Sequence, residues 1–344
     1  MPDPLLTAGA PAALGLLLLG LAAWWQRRRT SEPCAPARAA LALGALALAL
    51  SAAELACWGL AVQSDNVNRT LSSQRWFERH WRPINELGFR DRDHVGALDG
   101  IERLIFFVGD SFTAGQGVDD VEQRFPDLVG AARGPGSAAV IVAQCGWNTS
   151  NQREAIDGMA AQLGRSPDEV VLAYVPNDIL NPSYLAGREQ PFALPADPTA
   201  GSSSALSWMA GSSYLTDALW WRVLRRRALS TLASEHGDAL QRAHADAQIW
   251  QRHRADLLAL AERTRAHGAA LTVLVFPDLA AVPATRALSA KVAALFKQAG
   301  AARVIDLGPL LAGRPVEQLV TSPRDGHPGA ALHAEVAALL LAED

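Results

Sequence analysis

Cysteine is scarce, with three residues in a chain of 344. Three thiols cannot build a disulfide framework, and Cys34, Cys57 and Cys145 lack the spacing of a zinc site. The eight histidines form no H-E-x-x-H or related cluster, so the sequence implies no metal and no cofactor. An excess of positive charge is also missing. With a net charge of −4, nothing calls for nucleic acid as a partner. The chain has no G-x-G-x-x-G, no phosphate-binding G-K-[ST] loop and no G-x-S-x-G elbow, which excludes three common routes to dinucleotide, phosphate and hydrolase chemistry.

Long apolar runs are present. Leu5–Trp25 carries no charge, and Ala39–Val62 carries one, Glu54. Each is close to the roughly 20 residues that cross a bilayer as a helix, so two transmembrane spans forming a hairpin are expected. A cleaved signal peptide fits less well, because the apolar run is long and its basic residues follow instead of preceding it. The intervening stretch "QRRRTSEPCAPAR" holds Arg27, Arg28, Arg29 and Arg38, which places that loop in the cytoplasm and the rest of the chain outside. Arg69, Arg75, Arg79 and Arg82 follow the second run and oppose this, but long domains translocate largely regardless of charge. A carboxylate inside a span is a functional candidate by default. With no other polar residue marking a transport path, Glu54 reads as a structural group.

Residues 63–102 are polar with aromatic anchors Trp76, Phe77 and Trp81, the composition of a tether packed on a domain and not of a free linker. Residues 103–344 follow as one domain. "RLIFFVG" (103–109), "AAVIVAQ" (138–144), "EVVLAYV" (169–175), "ALTVLVF" (270–276) and "ARVIDL" (302–307) are apolar runs suited to strands buried on both faces. Helical patterns at 151–164, 246–268, 284–300 and 328–343 lie between or after them. This alternation predicts a three-layer α/β/α domain with a parallel sheet and its site beyond the C-terminal strand ends.

Four motifs converge on that edge. "FFVGDSFTAG" ends a strand and places Ser111 at the start of a helix, "QCGWNTS" offers Gly146, "VPNDI" offers Asn177, and "SPRDGHPGA" sets Asp325 two residues before His327. A cap explains Asp110 at such a strand end, but it says nothing of the other three motifs. A serine becomes nucleophilic when an imidazole accepts its proton, and a carboxylate fixes the tautomer of that imidazole. The oxyanion formed by attack on an ester needs donors, for which the N–H groups of Ser111 and Gly146 and the amide of Asn177 are available. Pro328 suits the first position of the last helix. His333 reads as a packing residue, and His80, His94, His236, His244, His253 and His267 have no partner motif. Asn68-Arg69-Thr70 and Asn148-Thr149-Ser150 fit the glycosylation sequon, a triplet that also arises by chance.

At these residues the chain resembles the SGNH family of GDSL-type esterases and lipases, in "GDSFTAG", "CGWNT", "PNDI" and "DGHPGA" over about residues 103–344. The resemblance implies a flavodoxin-like SGNH-hydrolase domain in which Ser111, His327 and Asp325 form the triad and Ser111, Gly146 and Asn177 the oxyanion hole. The segment "INELGFRDRDH" is similar to what precedes this domain in membrane-anchored bacterial members. Two departures stand out: the family often has Asp-x-x-His, where Arg324 stands here, and usually a Gly two residues before the Asn, where Val175 stands here.

An insertion at about 180–245 is too long for a simple connection. Its second part holds Trp220, Trp221 and Leu224 near Arg222, Arg225, Arg226 and Arg227, the make-up of a packed helix, a lid or a membrane-surface helix. The expectation is a membrane-anchored serine esterase acting on an acyl ester of a lipid or a glycan. An O-acyltransferase or deacetylase of cell-surface glycan, and a non-catalytic scaffold or glycan-binding protein, are the alternatives.

Overall fold

The computed structural model describes residues 1–28, 35–66, 70–185 and 211–342 and, for 223–236, the helical backbone alone. In chain order the elements are α1 (Pro4–Arg27), α2 (Ala35–Leu60), α3 (Leu71–His80), β1 (Arg103–Gly109), α4 (Ser111–Ala114), α5 (Phe125–Arg133), β2 (Ser137–Ala143), α6 (Thr149–Leu163), β3 (Glu169–Tyr174) and α7 (Pro182–Leu185). They continue as α8 (Tyr214–Ala245), α9 (Ala247–Ala266), β4 (Ala270–Val275), α10 (Val282–Gln298), β5 (Arg303–Asp306), α11 (Gly308–Leu311), β6 (Val320–Ser322), β7 (Asp325–Pro328) and α12 (Ala330–Leu341). Two compact units result, one of Met1–Glu78 with Asp197–Leu229 and one of Arg79–Ala196 with Ser230–Asp344.

In the first unit α1 and α2 pack through small residues. Gly15 and Gly44 face each other so closely that a Cβ on either would lie 3.0 Å from the other's carbonyl oxygen, the close approach that glycine permits between apolar helices. Leu19 and Leu48 flank these glycines, whereas other leucines point outward: Leu5 is 76% exposed and Leu16 is 63% exposed. Both helices are long and apolar enough to cross a membrane by length and composition. α2 begins four residues earlier than the apolar run and ends two before it, because Ala, Pro and Arg are all accepted in a first helical turn.

Glu54 is buried, and its two carboxylate oxygens accept from the N–H groups of Tyr214 (2.9 Å) and Leu215 (2.7 Å). It therefore satisfies the unpaired donors at the start of α8, where a negative charge also meets the positive end of the helix dipole. Asp217, one turn on, accepts from Leu71 N (3.0 Å) and Gly211 N (3.1 Å).

The second unit is built on a five-stranded sheet in the order β2-β1-β3-β4-β5, every pairing parallel. Alternation divides each strand between two cores. Ile105, Phe107, Val171 and Leu274 pack with α5 and α12 residues such as Phe125 and Leu332, whereas Phe106, Val140, Leu172 and Val273 pack with Ile156, Leu257 and Phe296 of α6, α9 and α10. Each fully buried Phe or Ile contributes about 1.5–3 kcal/mol, so layers of this size hold the sheet. The five strands and four helices begin and end within about two residues of the expected segments.

The structure adds α5, whose Pro126 sits in the first turn where its missing N–H costs nothing. It also corrects the assignment of Pro328. That residue ends β7, pairing with Val320, and α12 starts only at Ala330 with Gly329 as its cap. The backbone is drawn into this hairpin because Gly329 N donates to Leu319 O at 2.9 Å.

Of residues 63–102, the part from Arg79 onward belongs to the second unit. There Asp91 accepts from Ile141 N on the edge strand β2 at 2.8 Å. Buried Arg90 donates to the carbonyls of Gly115 (2.6 Å) and Val118 (2.8 Å) in the loop after α4. In the insertion, α8 forms over the Trp220–Trp221 stretch; residues 186–210, and the side chains of Leu224, Arg225, Arg226 and Arg227, lie outside the described part. So do Cys34, Asn68 and Arg69.

Candidate active site

Ser111 begins α4 directly after β1, and the cap expected of Asp110 is made: its Oδ1 accepts from Phe112 N at 2.9 Å. With the helix start held this way, the Ser111 side chain is left for other partners. His327 Nε2 lies 2.8 Å from Ser111 Oγ. On the opposite side of the ring, Nδ1 is hydrogen-bonded to Asp325 Oδ1. The same carboxylate oxygen accepts from the His327 backbone N–H at 3.2 Å.

The spacing of Asp325 and His327 has a simple cause. Both lie on strand β7, and residues i and i+2 of a strand project from the same face. Asp-x-His is therefore the spacing a strand requires, where a turn or helix would need three or four residues. β6 holds that strand in place: Thr321 Oγ1 donates to His327 O at 3.0 Å. Phe112 packs edge-on against the imidazole, ring centroids 5.6 Å apart.

Asp325 is fully buried, and a neighbour absent from the expected set explains how it fits. A Cβ on Gly117 would come within 2.9 Å of Asp325 Oδ2 and 2.6 Å of Thr321 Oγ1, and φ is +87° there. Gly117 follows Ser111 by six residues in "GDSFTAGQG", so the third glycine of that run was the available signal.

Burial disfavours the imidazolium of His327, but the charge of Asp325 and its hydrogen bond, with smaller help from Asp110 and Asp278, outweigh it; the pKa stands above the usual 6.5. Burial also raises the carboxyl of Asp110 above its ordinary value, against its bond from Phe112 and the charge of His327. Cys145, next to Gly146, does not compete as a nucleophile. Burial and then the nearby Asp110 push its thiol up to about 12, and Sγ donates to Gln116 Oε1 at 3.1 Å.

Gly146 is the third residue of a turn closed by Trp147 N to Gln144 O at 3.3 Å, with φ +79°. A Cβ there would meet nothing within 4 Å, so glycine is needed for the backbone conformation and not for want of space. Asn177 lies in the turn Pro176–Ile179 after β3, and its Nδ2 donates to Asp110 Oδ2 at 3.4 Å. Asp110 thus caps α4 with one oxygen and touches Asn177 with the other. Behind this turn Asp178 is buried, taking Gln152 Nε2 at 3.1 Å; burial and then Asp110 raise its carboxyl well above the ordinary range.

The other histidines whose side chains are described stand apart from this group. His333 Nδ1 accepts from Phe125 N at 3.2 Å, and burial followed by Arg124 pushes its pKa down to about 3. His253 meets Tyr174 OH at 3.1 Å inside the core. No cluster of metal-binding side chains occurs among the described residues.

The model of the GDSL-like Lipase/Acylhydrolase family matches residues 107–335. No curated protein matches the chain. Among solved structures, TesA is 16% identical with a TM-score of 0.41, covering 70% of this chain and 98% of its own. The psychrotrophic esterase EstA from Pseudoalteromonas sp. is 12% identical with a TM-score of 0.41, covering 70% and 94%. The lipase/acylhydrolase from Enterococcus faecalis is 16% identical with a TM-score of 0.39, also covering 70% and 94%.

Proposed function

Because the chain belongs to the GDSL-like lipase/acylhydrolase family and is thereby a hydrolase of ester bonds, we propose that it is a membrane-anchored serine esterase working through an acyl-serine. Ser111 Oγ attacks the ester carbonyl as His327 Nε2 takes its proton. The resulting oxyanion is held by the N–H groups of Ser111 and Gly146 and by Asn177 Nδ2. When the tetrahedral species collapses, the carbon–oxygen bond to the alcohol breaks and His327 returns the proton to that alcohol. Water then attacks the acyl-serine with His327 again as base; the bond from the acyl carbon to Ser111 Oγ breaks, His327 returns the proton to Oγ, and the carboxylic acid leaves. Asp325 keeps the ring in the tautomer that presents a bare Nε2 and stabilises the imidazolium in both steps.

The contact that carries this reading is the 2.8 Å approach of Ser111 Oγ to His327 Nε2, with Asp325 on the other ring nitrogen. α1 and α2 anchor the enzyme as membrane spans, their exposed leucines facing lipid, with residues 63–344 on the extracytoplasmic side. The test is hydrolysis of short acyl esters by the full-length protein and its Ser111→Ala variant, with labelling by a serine-directed phosphonate. Ser111→Ala is expected to lose both. Retention of full activity and labelling overturns the assignment.

A further inference from the structure

The two turns that offer Gly146 and Asn177 follow β2 and β3, and in the sheet order these strands are not neighbours, since β1 lies between them. Strand neighbours are about 4.8 Å apart, so the two turns stand two strand spacings from each other, on either side of Ser111. Both strands are hydrogen-bonded to β1, but no sheet hydrogen bond joins the loops that follow them. A further tie between those loops matters, because a donor displaced by about 1 Å loses much of its effect on an oxyanion.

Asn181 occupies that place. It is buried, 6% exposed, four residues after Asn177. Its Nδ2 donates to Asn148 Oδ1 at 3.2 Å and to Ser150 Oγ at 3.0 Å. Its Oδ1 accepts from Ser183 N at 2.9 Å and Ser183 Oγ at 2.8 Å. All four sites of the amide are used, and a backbone N–H at Ser183 can only donate, so the orientation of the amide is fixed. Asn148 is two residues from Gly146 and caps α6 through Ser150 N at 3.0 Å. The bond from Asn181 thus joins the segment after one donor turn to the segment after the other. Asp256 of α9 backs it, accepting from Ser150 Oγ at 2.7 Å, from Tyr184 OH and from Arg153 at 3.0 Å.

We propose that Asn181 is a positioning residue that fixes the separation of the Gly146 and Asn177 donors across Ser111. The inference rests on the reading of those two residues as oxyanion donors. It assigns no contact with substrate, so its effect passes through Asn177 and Gly146.

The test uses the full-length enzyme and four variants: Ser111→Ala, Asn177→Ala, Asn181→Asp and the double variant Asn177→Ala/Asn181→Asp. Asn181→Asp keeps the acceptor for Ser183, and so the start of α7, while removing both donors to α6. Its kcat is expected to fall about tenfold with KM within about twofold and the pH profile unmoved. Asn177→Ala alone is expected to fall by about 10²–10³. In the double variant the second change is expected to add less than about twofold, because the separation that Asn181 fixes has no meaning once the Asn177 donor is gone. Wild-type kcat in Asn181→Asp, or losses that multiply in the double variant, overturn the proposal. Failure of the underlying site shows elsewhere, as activity retained by Ser111→Ala and Asn177→Ala.

Discussion

At the scale of single residues, the proposed mechanism makes the Asp325–His327 pair set the pH at which the enzyme works. Catalysis needs the neutral imidazole, and the carboxylate raises the pKa of His327. The acidic limb of kcat/KM is therefore expected to have its midpoint above 6.5. In Asp325→Asn the burial that opposes the imidazolium remains while the charge goes, so the midpoint is expected to move down as kcat falls by about 10²–10⁴. A pH–rate profile of both enzymes checks this, and an unmoved midpoint separates Asp325 from the histidine. The same elevated pKa contributes stability below 6.5 that is lost as pH rises through the folded-state value. Gly117→Ala is expected to lower kcat too, since its Cβ would enter the space of Asp325 Oδ2 and Thr321 at a positive φ. Thermal unfolding would drop with it, a strained alanine costing about 1–2 kcal/mol. Ser111 and His327 were legible because each stands in a short run with a chemical reason for its neighbours. Gly117 was not, because what constrains it arrives from β6 and β7, some 200 residues later in the chain.

At the scale of elements, long periodic segments announced themselves and short ones did not. Strands β1 to β4 are apolar over most of both faces, which the sequence states directly, while β5 is short and only partly buried. β6 and β7 have three and four residues, too few for any period, and β7 is written in Asp, Gly, His and Pro. Only pairing makes it a strand, and that pairing is what turns a two-residue spacing into the contact of Asp325 with His327. The start of α8 is a similar case. Nothing local to "GSSYLTD" indicates that its cap comes from Glu54, 160 residues earlier. Glu54→Leu leaves the N–H groups of Tyr214 and Leu215 unsatisfied and is expected to destabilise the detergent-solubilised full-length protein by about 1–3 kcal/mol. Glu54→Gln, which keeps one good acceptor, is expected to fall between the two. Equal unfolding temperatures for all three proteins would remove the carboxylate from this role. Hydrolysis at low temperature should change little in either variant, because Glu54 belongs to the unit that lacks the triad.

At the scale of the whole molecule, the question is which side of a bilayer holds each part. Arg27, Arg28, Arg29 and Arg38 bracket the short connection between α1 and α2, and Arg28 lies 4.2 Å over the ring of Trp24, a pairing suited to a membrane interface. Positive charge in so short a loop favours the cytoplasmic side. The proposed topology puts residues 63–344 outside, and the basic residues after α2 do little to oppose this for a long translocated domain. The scarcity of cysteine makes this measurable. Cys34 lies in that connection, whereas Cys145 is half-buried and its thiol is pushed up to about 12, far from the reactive thiolate. A membrane-impermeant maleimide applied to intact spheroplasts is therefore expected to leave Cys34 unlabelled until the membrane is permeabilised. A reporter introduced as Glu262→Cys on exposed α9 should label before permeabilisation. The opposite pattern would place the triad in the cytoplasm and remove extracellular esters from its reach. Labelling at both positions before permeabilisation would mean that α1 and α2 do not cross the membrane as a hairpin, and that the exposed leucines need another partner than lipid.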